Sequence, residues 1–289
     1  MLSYQFMRFP EGKNRAFTMS YDDGCVEDKR FSDIITPYGL KCTFNLNALS
    51  LGRPYEHSVA DIEKYFYERG HEVAVHGAHH RASGRLRPIE IIDEVIACRR
   101  DLEGRLGRII RGMAYPDSGI RTFATTTSYE DVRHALAACG ITYARTLAGD
   151  NRRFDMPEDF YAWMPTAHHT NPEVISMLDE FLSLPFDYET VYCASRRERL
   201  FYLWGHTFEF VTEEQWSLLD KIGERVAAHP DVWCATNGEI YDYVTAYNAL
   251  VYSADNSVVY NPTLIPVWFE RDGTLYKIAP GETLRDVKH

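Results

Sequence analysis

The sequence predicts an α/β fold, a parallel sheet with helices outside it, rolled into a closed or incomplete barrel. Three observations predict it. Short apolar strands alternate with helix-like segments, the pattern of a parallel sheet. Roughly seven such units fit in about 250 residues, the scale of a β/α barrel. Unusual polar residues fall just after the strands, where parallel folds face their ligands. A doubly wound open sheet is the competing arrangement.

The strand candidates, in order, are Ala16–Asp22, Lys41–Asn47, Glu72–His76, Ile109–Tyr115, Thr142–Leu147, Leu200–Gly205 and Val232–Thr236. Helix signals lie between them. Ser58 opens an S-x-x-D box before Ile62, Tyr65 and Phe66. Pro88 opens a segment with Ile91, Ile92, Val95, Leu102 and Leu106 at helical spacing. Ser128 with Asp131, and Thr212 with Gln215, repeat the cap pattern, and Gly70 and Gly140 sit where helices should stop. After about Leu250 the pattern changes. Val258–Tyr260, Ile265–Phe269 and Leu275–Ile278 look like strands, with Asp272-Gly273 as a turn. The expected division is a main barrel over 1–250 and a small β appendage over 251–289.

The 289 residues are 45% hydrophobic and 25% charged, a soluble globular composition. Net charge is -11, and the longest basic runs are pairs such as Arg99-Arg100 and Arg152-Arg153, which argues against a nucleic-acid partner. The six cysteines (25, 42, 98, 139, 193 and 234) form no C-x-x-C pair and read as buried free thiols. No stretch approaches the ~18 apolar residues of a membrane span, and the N-terminus lacks signal-peptide features. A cytoplasmic protein with no membrane partner is expected, and a homo-oligomer stays open.

Asp22 and Asp23 follow the first strand, His76 to His80 the third, Tyr115 to Asp117 the fourth, and His206 the sixth. Each has a bland reading. Asp-Asp-Gly alone is more often a capped turn. Chance alone gives about 0.4 His pairs spaced by four, so the density of His76, His79 and His80 carries more weight than their spacing. Two neutral imidazoles and one carboxylate make a three-ligand site with an open position. Zinc suits that set best, and cobalt, iron or nickel would accept it. A metal there acidifies water and polarises a carbonyl, with Asp22 free to accept the proton.

These residues resemble the polysaccharide deacetylases of the NodB-homology type, carbohydrate esterase family 4. The family's T-F-D-D-G is matched by Ser20-Tyr21-Asp22-Asp23-Gly24, and its H-[ST]-x-x-H by His76 to His80, with Gly77 replacing the hydroxyl residue. The resemblance implies Asp22 as general base and Asp23, His76 and His80 as metal ligands. RGMAYPDSG is similar to the third motif and would put Tyr115 and Pro116 in the groove, with Arg111 the candidate to steer the base at a different spacing. FYLWGHTFEF supplies His206 as general acid, with Trp204 two residues before it. Trp163 in FYAWMPTAHH is the nearest aromatic candidate for the fourth motif, followed by His168 and His169. The resemblance covers about residues 10–245. It implies a distorted barrel of seven or eight β/α units and hydrolysis of N-acetyl groups on sugars, a backbone N–H such as that of Tyr115 helping to hold the oxyanion.

Two other readings remain. A hydrolase of the same fold could act on another non-peptide C–N bond, in a small amide, imide or ureide. A non-catalytic carbohydrate-binding protein would have little need for a base, a ligand set and an acid together. Glu239 reads as a first-turn helix carboxylate, and His57, His71, His134 and His229 read as surface residues.

Overall fold

The computed structural model describes residues 4–48, 57–147, 153–186 and 196–287. Cys193 and Arg152 lie outside them. The strands are β1 (Gln5–Arg8), β2 (Arg15–Asp22), β3 (Cys42–Leu46), β4 (Glu72–Val75), β5 (Gly112–Ala114), β6 (Tyr143–Arg145), β7 (Ala167–His168), β8 (Arg199–His206), β9 (Val232–Cys234), β10 (Val251–Tyr252), β11 (Val259–Tyr260), β12 (Val267–Arg271), β13 (Thr274–Ile278) and β14 (Thr283–Leu284). The helices are α1 (Asp28–Ile35), α2 (Val59–Tyr65), α3 (Pro88–Leu106), α4 (Tyr129–Ala138), α5 (Val174–Ser183), α6 (Glu213–Ala227) and α7 (Asn237–Asn248).

The main sheet runs β6-β5-β4-β3-β2-β8-β7, and every pairing in it is parallel. Strand β9 joins the first half of β2, beside Arg15 to Phe17, while β3 takes the second half from Met19 onward. The sheet therefore curls into a distorted β/α barrel. Its open side is bridged by one stretch of chain. The Trp163 N–H donates to Ala144 O and the Thr146 N–H to Trp163 O, while the Thr166 N–H donates to Tyr202 O on β8. All seven expected strands are present. Strand β7 has two residues, too few for a periodic signal.

The helices pack outside, as their sequences require. In α3, Pro88 occupies the first turn, Gly107 ends the helix at φ 63°, and Ile91, Val95, Cys98 and Leu102 form the buried stripe. Burying each large apolar side chain of that stripe contributes about 1.5–3 kcal/mol. Glu94 breaks the stripe, being buried among those residues. The caps at Ser58, Ser128 and Thr212 form as their sequences predict.

The C-terminal strands pair antiparallel in two small sheets. In one, the N-terminal β1 lines up with β12 and β13, so Met7 faces Phe269 across the ladder. Strand β1 gave no separate signal in the sequence. Two of the histidines expected at the surface are buried. His57 contacts Asp28 at 3.1 Å, and the His71 Nδ1 accepts the Cys42 N–H. Burial lowers the His71 pKa to about 3. Among the described residues no helix is long and apolar enough to cross a membrane, and Cys25, Cys42, Cys98, Cys139 and Cys234 are unbridged.

Candidate active site

Asp22 ends β2 and is 2% exposed. A buried carboxylate needs partners, and neighbouring strands supply them. From β3, the Asn45 Nδ2 donates to Oδ1 at 2.8 Å. From β6, the Arg145 Nη2 donates to Oδ2. Burial alone would raise the Asp22 pKa, but Arg145, then His76 and His206, outweigh it and hold the carboxyl below its ordinary value. Asp22 is thus ionised and fixed in orientation.

Asp23 begins the turn after β2, with φ 76° followed by Gly24 at 69°. Aspartate tolerates this left-handed region better than most residues. At Gly24 a β-carbon would lie 2.7 Å from Leu46 Cδ2 as well as in a strained conformation. The turn reading and the site reading of Asp-Asp-Gly therefore coincide: the turn aims Asp23 at the histidines.

His76 follows β4 directly and is buried. Its Nδ1 lies 2.9 Å from Ala114 O, so the ring proton goes to that carbonyl and Nε2 presents its lone pair. Nε2 stands 3.5 Å from Asp23 Oδ1, and so does the Nε2 of His80. Burial lowers the His76 pKa against the pull of Asp22 and Asp23, favouring the neutral ring that a metal needs. The ligand atoms of Asp23, His76 and His80 all lie within 4.8 Å of one another. Two imidazoles and a carboxylate with a fixed tautomer fit a divalent transition metal.

The loop between the two histidines is held by Glu94. Its carboxylate accepts the His79 N–H at 2.5 Å and the Arg81 N–H at 3.3 Å, and contacts His79 Nδ1 at 3.0 Å. Gly77 adopts φ 84°, and a β-carbon there would come within 3.1 Å of Glu94 Oε1. The missing hydroxyl residue is thus accounted for: glycine is the residue this backbone accepts, and Glu94 braces the loop.

On the other side of Asp22 stands His206, ending β8. Its Nε2 lies 3.9 Å from Asp22 Oδ2 and from Asp23 Oδ2, and its Nδ1 lies 3.3 Å from Glu209 Oε2. Burial would lower the His206 pKa, but Glu209, with Asp22 and Asp23, raises it above the ordinary value. Glu209 is in turn held down to about 2 despite its burial, first by His206.

The chain is similar to known proteins in sequence over part of its length and in fold over most of it. The polysaccharide deacetylase family model matches residues 10–144, the stretch carrying Asp22, Asp23, His76 and His80. Over that stretch the chain is similar to the polysaccharide deacetylases. Among solved structures, a Mycobacterium smegmatis protein described as a polysaccharide deacetylase is similar at TM-score 0.55 and 17% identity, over 83% of this chain and 93% of that one. A family 4 acetyl xylan esterase from Clostridium thermocellum, solved with a cobalt ion, is similar at TM-score 0.50 and 13% identity, over 78% of this chain and 90% of that one. At such identities the likeness is one of fold. None of the curated proteins compared with the chain matches it.

Several residues expected at this site lie elsewhere. Arg111 precedes β5 at the opposite rim, where it pairs with Asp242 at 2.8 Å. The arginine beside Asp22 is Arg145, at the end of β6. Trp163 is buried among Tyr143, Phe160 and Tyr202, because its backbone bridges the barrel's open side and turns the ring inward. The Tyr115 side chain is also core, its hydroxyl donating to Tyr161 O at 2.8 Å. Its N–H is already given to Arg145 O, so it is not free for an oxyanion. Pro116 is buried against the His76 loop, its Cγ 3.5 Å from where a Gly77 β-carbon would be.

Trp204, His168 and His169 do reach the His206 side. The Arg145 guanidinium lies 4.5 Å over the Trp204 ring, and His168 meets that ring edge-on at 4.4 Å. His169 is stacked between Tyr21 and Phe210. Only glycine fits beside it at 205, where a β-carbon would lie 1.9 Å from the His169 Nδ1. Sequence reasoning missed Asn45, Glu94, Arg145, Phe208 and Glu209. Phe208 is half exposed, with its ring 5.0 Å from that of His206.

Proposed function

We propose that the chain is a metal-dependent hydrolase that removes N-acetyl groups from a sugar, an oligosaccharide or a sugar conjugate. The observation that carries this reading is Asp22. It is an ionised, doubly tethered carboxylate with a His-His-Asp donor set on one side and an imidazole of raised pKa on the other. Such a split of charge states is what acid and base roles require.

Asp23, His76 and His80 would hold the metal, zinc by preference, with cobalt, iron or nickel acceptable to the same donors. When bound, it supplies polarisation of the substrate carbonyl and acidification of water. The rest falls to the chain's own residues. Asp22, kept in place by Asn45 and Arg145, takes the proton of the attacking water. His206 carries a proton on Nε2 and gives it to the leaving nitrogen, while Glu209 against Nδ1 keeps the ring charged and oriented. Phe208, half exposed and packed against His206, offers a face to a sugar ring, while Trp204 is buried behind His206. The cobalt in the acetyl xylan esterase of similar fold supports a metal here.

That same relative favours a second reading, an O-acetyl ester on a sugar. The two differ in the leaving group, since an amine depends more on protonation than an alcohol does.

Elemental mass spectrometry on the purified chain, beside an Asp23→Ala, His76→Ala, His80→Ala variant, tests the metal. One tight equivalent, lost in the variant, is expected. No metal in either after refilling with zinc would sink the reading. Acetate release from N-acetylated sugars against acetylated xylan then separates the two substrates.

A further inference from the structure

We propose that His168, His206 and Glu209 form a second divalent-cation site, on the far side of the His206 ring from Asp23. Their ligand atoms lie within 4.8 Å of one another, and among the described residues only Asp23, His76 and His80 form another such group. The spacing is that of ligands. Glu209 Oε2 stands 3.3 Å from His168 Nε2 and 3.3 Å from His206 Nδ1, against 3.5 Å from Asp23 Oδ1 to each of its two histidines. Donors bound to one zinc at about 2.0–2.2 Å stand at such separations.

A second observation is independent of spacing. The His206 Nδ1 and both ring nitrogens of His169 are buried and make no hydrogen bond. His169 is 4% exposed, and its Nε2 also approaches Glu209 Oε2, at 3.5 Å. Buried polar atoms are nearly always hydrogen-bonded. Here the His206 Nδ1 and the His169 Nε2 converge on one carboxylate oxygen at contact distance without the geometry of hydrogen bonds. A cation among them would resolve that arrangement.

The site is built to be weaker than the first. His168 Nδ1 lies 2.7 Å from Thr170 Oγ1, which can take its proton and free Nε2 for a metal. The Thr170 N–H also points at that nitrogen, at 3.2 Å. The metal-free ring therefore keeps its proton on Nε2, and binding must move it. The three side chains are 17%, 22% and 27% exposed, so an ion can enter from solvent.

The consequence for activity rests on His206 being the acid; the site itself does not. A cation on Nδ1 prevents the ring from becoming imidazolium, so its remaining Nε2 proton is held too tightly to pass to a leaving group. One equivalent of metal then activates and a second inhibits.

Calorimetric zinc titration of the chelator-stripped full chain tests the site, with cobalt absorption as a second readout. The wild type is expected to take two equivalents, the second more weakly, and His168→Gln one. The Asp23→Ala, His76→Ala, His80→Ala variant keeps His168 and should bind one equivalent, which adding His168→Gln abolishes. The triple variant decides the matter even if His168→Gln folds poorly, since binding of no equivalent by it would overturn the proposal. Saturation of the wild type at one equivalent, lost in the triple variant, would overturn the proposal. So would two equivalents in His168→Gln. If instead the triple variant binds as much as the wild type while His168→Gln loses one equivalent, this site stands and the first metal site fails.

Discussion

The two ends of the barrel both carry charged residues and use them differently. At the N-terminal end, charges are paired off. Glu72 accepts from Tyr143 Oη at 2.8 Å, Thr43 Oγ1 at 2.9 Å and the Gly238 N–H at 2.8 Å, which plugs the barrel. Around it Arg111 meets Asp242, Lys41 meets Glu239, and Arg108 meets Glu63. At the C-terminal end, buried hydrogen-bonding atoms are left without partners: Arg145 Nε and Nη1, Trp204 Nε1, His206 Nδ1 and both nitrogens of His169. Buried polar groups that are satisfied serve architecture. A concentration of unsatisfied ones is expected where the fold must receive a ligand.

The largest effect should come from Asp22→Asn. Acetate release should fall by about 10²–10⁴, the range for a general base, with the tight metal equivalent retained. Near-full activity would remove Asp22 from its role. The next effect bears on the comparison itself. Arg145 is fully buried over Trp204, and its loss leaves Asp22 charged and unpaired. Arg145→Met should cost about 3–5 kcal/mol. Arg111→Met breaks a pair of which the arginine side chain is 44% exposed, and should cost about 0–1 kcal/mol with activity unchanged. Denaturant unfolding of both variants measures this. Equal losses would mean that the two ends do not differ as described.

Those two arginines also mark where sequence reading ran out. The strand–helix alternation made the parallel barrel legible, and the rule that strand ends face the ligand pointed to Asp22, Asp23, His76, His80 and His206. The same rule applied to Thr142–Leu147 would have found Arg145. The third-motif resemblance drew attention to Arg111 instead, at a different spacing, and that residue precedes its strand rather than ending it. Trp163 and Tyr115 looked like groove aromatics because sequence does not say which way a ring turns. The backbone bridge at Trp163, unpredictable from local periodicity, turns it into the core. Glu94 had no signal, since a carboxylate within an apolar helical stripe shows its purpose only when the loop it braces is in place. Glu209 was within reach, three residues after His206, where it caps the turn after β8 and accepts the His206 N–H at 3.0 Å.

Glu209 also sets the smallest and most discriminating effect. Burial depresses the His206 pKa, yet the net shift is upward, and Glu209 is the first of the groups that raise it. Activity that needs protonated His206 is full below that pKa and lost as pH rises through it. The alkaline limb should therefore lie above the ordinary imidazole value of 6.5. Glu209→Gln removes the charge but keeps a capping acceptor, so the limb should move to lower pH. The acidic limb follows Asp22, whose pKa is lowered, and activity there is lost only as pH falls through that lowered value. It should not move in Glu209→Gln. Profiles of kcat/KM against pH, taken at one equivalent of metal to keep His206 free, read both limbs at once. A shift of the acidic limb alone would mean that Glu209 acts on Asp22. No shift of either would mean that the His206 charge is maintained by Asp22 and Asp23 without it.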